Sequence, residues 1–177
     1  MSARISLILG GARSGKSRRA EALAARSHSP VVYVATCATE GADDEMRERV
    51  RAHQSRRPAA WVTLENRFDL PAVFAEFPGR SILLDCLTLW LSFHCDSMSE
   101  AALLEYLDAS IKSAKIHSGE LFIVSNELGM GLVPSTPLGR GFRDLCGRAN
   151  QLVAAAADYV EFQIAGLPLV LKGGAPS

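Results

Sequence analysis

Short apolar runs alternate with longer helix-prone stretches along most of the chain. Arg4-Ile5-Ser6-Leu7-Ile8-Leu9, Val31-Val32-Tyr33-Val34-Ala35, Ser81-Ile82-Leu83-Leu84-Asp85 and Leu121-Phe122-Ile123-Val124-Ser125 are β-prone and nearly free of charge. Such runs predict strands buried on both faces of a sheet. Trp61-Val62-Thr63-Leu64 predicts a shorter strand, Tyr159 to Ile164 a further one, and Leu169-Val170-Leu171 a last edge strand. Between them lie good helix formers from Arg18 to Ala24, from Leu70 to Phe77, from Ser99-Glu100 to about Lys115 and from Phe142 to Ala157. Asp43-Asp44-Glu45 opens another helix, with acids in its first turn, that runs to about His53 and stops before Pro58. Gly173 to Ser177 reads as a loose tail. Strands of this kind separated by helices predict an α/β fold, a mainly parallel central sheet with helices on both faces. Ligands of such sheets sit at the carboxyl ends of the strands. Attention therefore falls on the loop after the first strand, Thr36-Cys37, Asp85 and Asn126-Glu127.

The loop after the first strand carries the sharpest signal. Gly10-Gly11-Ala12-Arg13-Ser14-Gly15-Lys16-Ser17 has the spacing of a phosphate-binding P-loop, in its required context of strand, glycine loop and helix. The glycines let successive N–H groups face one concavity, and the following helix adds unpaired donors and the positive end of its dipole. Lys16 can reach β- and γ-phosphate oxygens, and the Ser17 hydroxyl is placed to ligate Mg²⁺. The fold expectation becomes P-loop NTPase-like.

Bulk composition narrows this picture only slightly. The 177 residues predict one domain over 1–177, with 48% hydrophobic and 21% charged residues. Nineteen Lys+Arg balance nineteen Asp+Glu, which argues against nucleic acid as an obligatory partner. Cys37, Cys86, Cys95 and Cys146 form no CxxC pair and have no zinc spacing, so they read as reduced thiols of a cytoplasmic protein. No apolar run approaches a membrane span, and the first one is needed as a strand rather than as a signal peptide.

Two further residues could carry chemistry. Asp85 ends an apolar run, as the Mg²⁺-assisting acid of P-loop proteins does; a strand-end Asp also serves as a turn residue. Met46, Val50 and His53 share the apolar face of the 43–53 helix, so His53 faces inward at its last turn. It is either a core or capping histidine or a nucleophile whose neutral imidazole attacks phosphorus. Arg56 and Arg57 nearby are either a solvated basic turn or a brace for phosphate charge. Glu65 reads as an exposed loop acid, Trp61 and Trp90 as core, and His28, His94 and His117 have no evident partners.

Beyond the P-loop, several stretches occur in the order of one family. They are Tyr33-Val34-Ala35-Thr36, Asp44-Glu45-Met46, Arg49-Val50, His53, Arg57-Pro58, Trp61, Thr63, Glu65 and Leu83-Leu84-Asp85-Cys86-Leu87-Thr88. Asn126-Glu127-Leu128-Gly129-Met130-Gly131-Leu132-Val133-Pro134, Phe142-Arg143-Asp144 and Gly147-Arg148-Ala149-Asn150-Gln151 complete the set. Over nearly its whole length the chain resembles the bifunctional adenosylcobinamide kinase/adenosylcobinamide-phosphate guanylyltransferase family of cobalamin biosynthesis. The resemblance implies two reactions. ATP or GTP phosphorylates the aminopropanol hydroxyl of adenosylcobinamide, and GTP then donates GMP to that phosphate through a guanylyl-histidine. It also implies His53 as the GMP-accepting residue and Gly10 through Ser17 as the phosphate cradle. Ala35, Thr36, Cys37, Gln54, Ser55, Arg56, Arg57, Glu65 and Asp85 would line the GTP site, with Mg²⁺ on Ser17 and Asp85. Ala52 stands where some relatives carry a second histidine, which leaves one imidazole to react. The loop 126–134 is a candidate for the corrinoid by position, and a homo-oligomer, a trimer, is expected. Two alternatives remain at this stage: a P-loop kinase of another small alcohol with a structural His53, or a nucleotide-dependent switch protein.

Overall fold

The apolar runs pair side by side, because a strand buried on both faces must satisfy every backbone N–H and C=O through its neighbours. The computed structural model describes residues 3–37, 57–117 and 119–176. The helix expected over 43–53, with His53, and the predicted site residues Gln54, Ser55 and Arg56 lie outside the described residues. The strands are β1 (Arg4–Gly10), β2 (Val31–Ala35), β3 (Val62–Glu65), β4 (Ser81–Asp85), β5 (Glu120–Asn126), β6 (Tyr159–Ile164) and β7 (Leu167–Lys172). They form one seven-stranded sheet in the order β3-β2-β4-β5-β1-β6-β7. All neighbouring pairs are parallel except β6 and β7, an antiparallel hairpin.

The described helices are α1 (Lys16–Ala24), α2 (Leu70–Glu76), α3 (Leu87–His94), α4 (Glu100–His117) and α5 (Pro137–Ala156). Alternate residues of β1, β2, β4 and β5 feed two cores. Ile8, Val31, Tyr33, Leu83, Phe122 and Val124 pack with Ala20 and Leu23 of α1 on one face. Ile5, Leu7, Val32, Ile82, Leu84, Leu121 and Ile123 pack with residues of α2 to α5 on the other. Trp90 is fully buried in this second core, and its Nε1 donates to the Phe68 carbonyl at 2.7 Å.

Three elements differ from the sequence-based expectation. Helix α3 was not anticipated, since Leu87-Thr88-Leu89-Trp90-Leu91 is too short and too uniformly apolar for its period to be read. Helix α5 begins five residues earlier than the periodicity suggested, because Thr136 caps it by accepting from Gly139 N at 3.1 Å and Pro137 opens its first turn. The expected loose tail is tied in part: Arg4 donates to the Gly174 carbonyl, and Pro176 is buried.

Candidate functional site

Parallel strands bring their carboxyl ends to one edge of the sheet, and the described P-loop, Thr36, Asp85 and Asn126-Glu127 lie along that edge. The chain leaves β1 at Gly10 and turns so that Ser14 N donates to the Gly11 carbonyl at 3.3 Å. A Cβ at Gly10 would lie 2.5 Å from Ser14 Oγ and 2.8 Å from the Gln163 carbonyl. Gly15 takes the left-handed region at φ 96°, and a Cβ there would approach Gly166 Cα to 3.3 Å. The β6–β7 turn thus backs the loop directly, and Gly166 N donates to the Ser14 carbonyl at 2.9 Å. Helix α1 has no side-chain cap at Gly15, so its first-turn donors are left for an anion. Lys16 is only 8% exposed and its Nζ donates to the Gly11 carbonyl at 2.9 Å. Ser14 Oγ is buried without a hydrogen-bond partner among the described residues.

A buried carboxylate ties α1 to the sheet behind this cradle. Glu161 on β6 is fully buried and accepts from Arg19 Nε at 3.0 and 3.2 Å, Tyr159 Oη at 2.6 Å and Gln163 Nε2 at 3.0 Å. The bond to Glu161 raises the Arg19 pKa above its usual value. A buried carboxylate with this many donors is satisfied as an anion. None of these four side chains was singled out from the sequence; a Glu inside a strand flanked by apolar residues was the available signal.

The second part of the edge is built by β2 and β4. Thr36 N donates to the Asp85 carbonyl at 3.0 Å. Thr36 Oγ1 donates to the Cys86 carbonyl at 2.8 Å and accepts from Cys86 N at 2.6 Å, across a cis Asp85–Cys86 peptide. Tyr33 Oη donates to Asp85 Oδ2 at 2.6 Å. The Arg57 guanidinium lies 3.6 Å above the Tyr33 ring centroid, and its Nε and Nη1 are buried without hydrogen-bond partners among the described residues. Burial, and then the Asp85 charge, push the Tyr33 hydroxyl well above the usual tyrosine value, so it stays a donor. Burial likewise pushes the Cys86 thiol up to about 11, which makes it an unreactive neighbour rather than a nucleophile. Ala35 is paired with Glu65 in the β2–β3 register, so Glu65 ends the outermost strand and stands farther from the P-loop than Asp85 does. Cys37 is half-buried at the limit of the described residues.

Between these two parts stands the end of β5. Asn126 is the register partner of Gly10, and Glu127 N donates to the Gly10 carbonyl at 3.1 Å. Three side chains hold this strand end. Asn126 N donates to Thr88 Oγ1 at 2.9 Å, Asn150 Nδ2 donates to the Asn126 carbonyl at 3.1 Å, and Ser125 Oγ donates to Asn150 Oδ1 at 2.6 Å. Glu127 Oε1 accepts from Gly129 N at 2.6 Å, which shapes the start of the following loop. Farther along that loop, Met130, Leu132 and Val133 are exposed.

The donors near the cradle suit Mg²⁺. A hydroxyl on Ser17 and a carboxylate on Asp85 are hard oxygen ligands, and Mg²⁺ usually takes its remaining ligands from phosphate and water. Among the described residues no group of three or more His, Cys, Asp or Glu forms a metal cage. No described helix is long and apolar enough to cross a membrane.

Comparison with known proteins follows the same lines. The fold matches the flagellar accessory protein FlaH of Methanocaldococcus jannaschii with a TM-score of 0.56 at 14% identity, over 99% of this chain and 81% of that one. It also matches an ATPase from a bacterial type III secretion system with a TM-score of 0.63 at 12% identity, over 96% of this chain and 57% of that one. These likenesses concern the P-loop NTPase fold alone. In sequence, the chain is 44% identical over 176 residues to the bifunctional adenosylcobalamin biosynthesis protein CobP of Pseudomonas aeruginosa, covering 94% of this chain and 96% of that protein. It is 36% identical over 181 residues to the bifunctional adenosylcobalamin biosynthesis protein CobU of Salmonella typhimurium, covering 94% and 98%. The model of the cobinamide kinase / cobinamide phosphate guanyltransferase family matches residues 6–171, and the chain belongs to that family.

Proposed function

We propose that this chain phosphorylates the aminopropanol hydroxyl of adenosylcobinamide and then converts the product to adenosylcobinamide-GDP. The observation that carries the reading is the Gly10–Ser17 cradle, in which Gly10 and Gly15 leave no room for side chains and Lys16 stands over the loop backbone. In the first step the alcohol oxygen bonds the γ-phosphorus of ATP or GTP and the nucleoside diphosphate leaves. Such a transfer needs positioning and charge neutralisation more than covalent help. Lys16 exchanges the Gly11 carbonyl for phosphate oxygens, and the first turn of α1 receives the negative charge. Ser17 and Asp85 would hold Mg²⁺, which would supply charge neutralisation to the transferring phosphate.

In the second step a nitrogen of His53 bonds the α-phosphorus of GTP and pyrophosphate leaves. The cobinamide phosphate oxygen then takes GMP as the P–N bond breaks. The relay splits one displacement into two. Ala35, Thr36, Cys37, Gln54, Ser55, Arg56, Arg57, Glu65 and Asp85 line the GTP site in this reading. The buried Nε and Nη1 of Arg57, held over Tyr33 without partners, support a phosphate-binding role. The exposed Met130, Leu132 and Val133, on the loop that leaves the P-loop neighbour β5, support placing the corrinoid against residues 126–134. The half-buried or buried thiols of Cys86, Cys95 and Cys146 support a reducing, cytoplasmic setting. The exposed apolar side chains of β7 support a homo-oligomer, which we take to be a trimer.

The test is covalent labelling. Incubation with GTP labelled at the α-phosphate should give an acid-labile adduct on a peptide containing His53, and His53→Ala should lose it. Equal labelling of His53→Ala would remove this residue from the mechanism. An imidazole must be neutral to attack, so labelling should fall as pH drops below about 6.5.

A further inference from the structure

We propose that Glu127 is the general base of the phosphoryl-transfer step, accepting the proton of the acceptor alcohol. The assignment rests on the kinase reading of the P-loop site. Among the described carboxylates near the carboxyl edge of the sheet, Glu127 directly follows β5, a neighbour of β1, and it is the one whose own N–H is bonded to the Gly10 carbonyl. The others have different positions. Asp85 lies one strand farther away, with Oδ2 engaged by Tyr33. Glu65 ends the outer strand β3. Glu161 is fully buried among Arg19, Tyr159 and Gln163.

Glu127 is also held as a base should be. Its backbone is fixed by the bonds of Thr88 and Asn150 to Asn126. One carboxylate oxygen, Oε1, is oriented by Gly129 N at 2.6 Å, and a Cβ at Gly129 would lie 2.8 Å from that oxygen. The residue is half-buried, so its carboxylate is not sealed from an incoming acceptor. A pre-set carboxylate beside the cradle needs little reorganisation when the acceptor arrives.

The two reactions differ in their need for a base. The kinase acceptor is a neutral hydroxyl, whose proton must leave as its oxygen bonds the γ-phosphorus. That proton passes to Oε2 of Glu127, while the bond from the γ-phosphorus to the bridging oxygen breaks and the nucleoside diphosphate departs with the electron pair. The guanylyl acceptor is a phosphate that is already ionised at neutral pH and gives up no proton.

The experiment measures both half-reactions of the full chain with Glu127→Gln, which keeps an acceptor oxygen for Gly129 N. The substrates are adenosylcobinamide with ATP for the first and chemically prepared adenosylcobinamide phosphate with GTP for the second. Loss of a general base predicts a phosphoryl-transfer rate lower by about 10²- to 10⁴-fold. The ratio of the two rates should shift by a similar factor. A parallel fall of both rates would mean that the carboxylate only shapes the loop, and an unchanged kinase rate would remove it altogether; either result overturns the assignment alone. A native chain that phosphorylates no adenosylcobinamide would overturn the functional reading and the base together.

Discussion

Tyr33 shows how one side chain serves two others. Its hydroxyl donates to Asp85 at 2.6 Å while its ring carries the Arg57 guanidinium at 3.6 Å. Tyr33→Phe should keep the cation on the ring and release the carboxylate. We expect the Mg²⁺ concentration for half-maximal kinase rate to rise about tenfold or more, since a positioned hydrogen bond to a charged group is worth about 1.5–3 kcal/mol. A Mg²⁺ titration checks this, and an unchanged titration would separate Tyr33 from metal binding. The same hydroxyl sets an alkaline limit. Its folded pKa is raised, by burial first and by Asp85 next, so its contribution is intact below the unfolded value of about 10 and is lost as pH rises beyond it. Thermal unfolding midpoints of the native chain should therefore fall more steeply above pH ~10 than those of Tyr33→Phe. At this scale the sequence displayed Asp85 and Arg57 as candidates, but Tyr33 only as part of an apolar run. Nothing local says that its hydroxyl meets Asp85, on a strand that begins 50 residues after β2 does.

At the scale of elements, the central strands were the most legible part, because burial on both faces makes β1, β2, β4 and β5 continuous apolar words. Helix α3 was hidden for the same reason: eight residues between Cys86 and Cys95 are nearly all apolar, and such a segment carries no readable period. Helix α5 presented its apolar face clearly but not its start, which a Thr cap and a Pro decide. Its middle also carries Asn150, 5% exposed, whose amide joins Ser125 and Asn126 at the end of β5. Asn150→Leu should leave the Ser125 hydroxyl and the Asn126 carbonyl short of partners. We expect a loss of about 1–3 kcal/mol per unsatisfied buried group, measured by urea unfolding. A stability within error of the native chain would mean that water or Thr88 replaces the amide.

For the whole molecule, the outer edge of the sheet carries the clearest unused feature. β7 is exposed along its length, with Leu167, Leu169, Val170 and Leu171 all open to solvent. A bare apolar edge strand is an aggregation hazard unless another chain covers it. The homo-oligomer reading therefore predicts that Leu169→Lys with Val170→Lys shifts the native mass to that of a monomer in sedimentation or light scattering. A native chain that already sediments as a monomer would defeat this reading. The same hairpin reaches the P-loop through the Gly166 N to Ser14 carbonyl bond, so the exposed edge and the P-loop share one structural element.

The sequence by itself determined most of the strands, the glycine-loop spacing of the P-loop, and that Asp85 and Glu127 stand at or just after strand ends. Those are local properties: apolar run length, glycine spacing and the strand–loop–helix order can be read within a dozen residues. Only the tertiary structure decided that β5 lies between β1 and β4, and hence that Glu127, rather than Asp85 or Glu65, stands beside the P-loop. It also decided the buried ties of Glu161 to Arg19 and of Asn150 to Ser125. Strand order depends on which packing of all the apolar faces buries most surface and satisfies every backbone group, and no short window of sequence contains that sum.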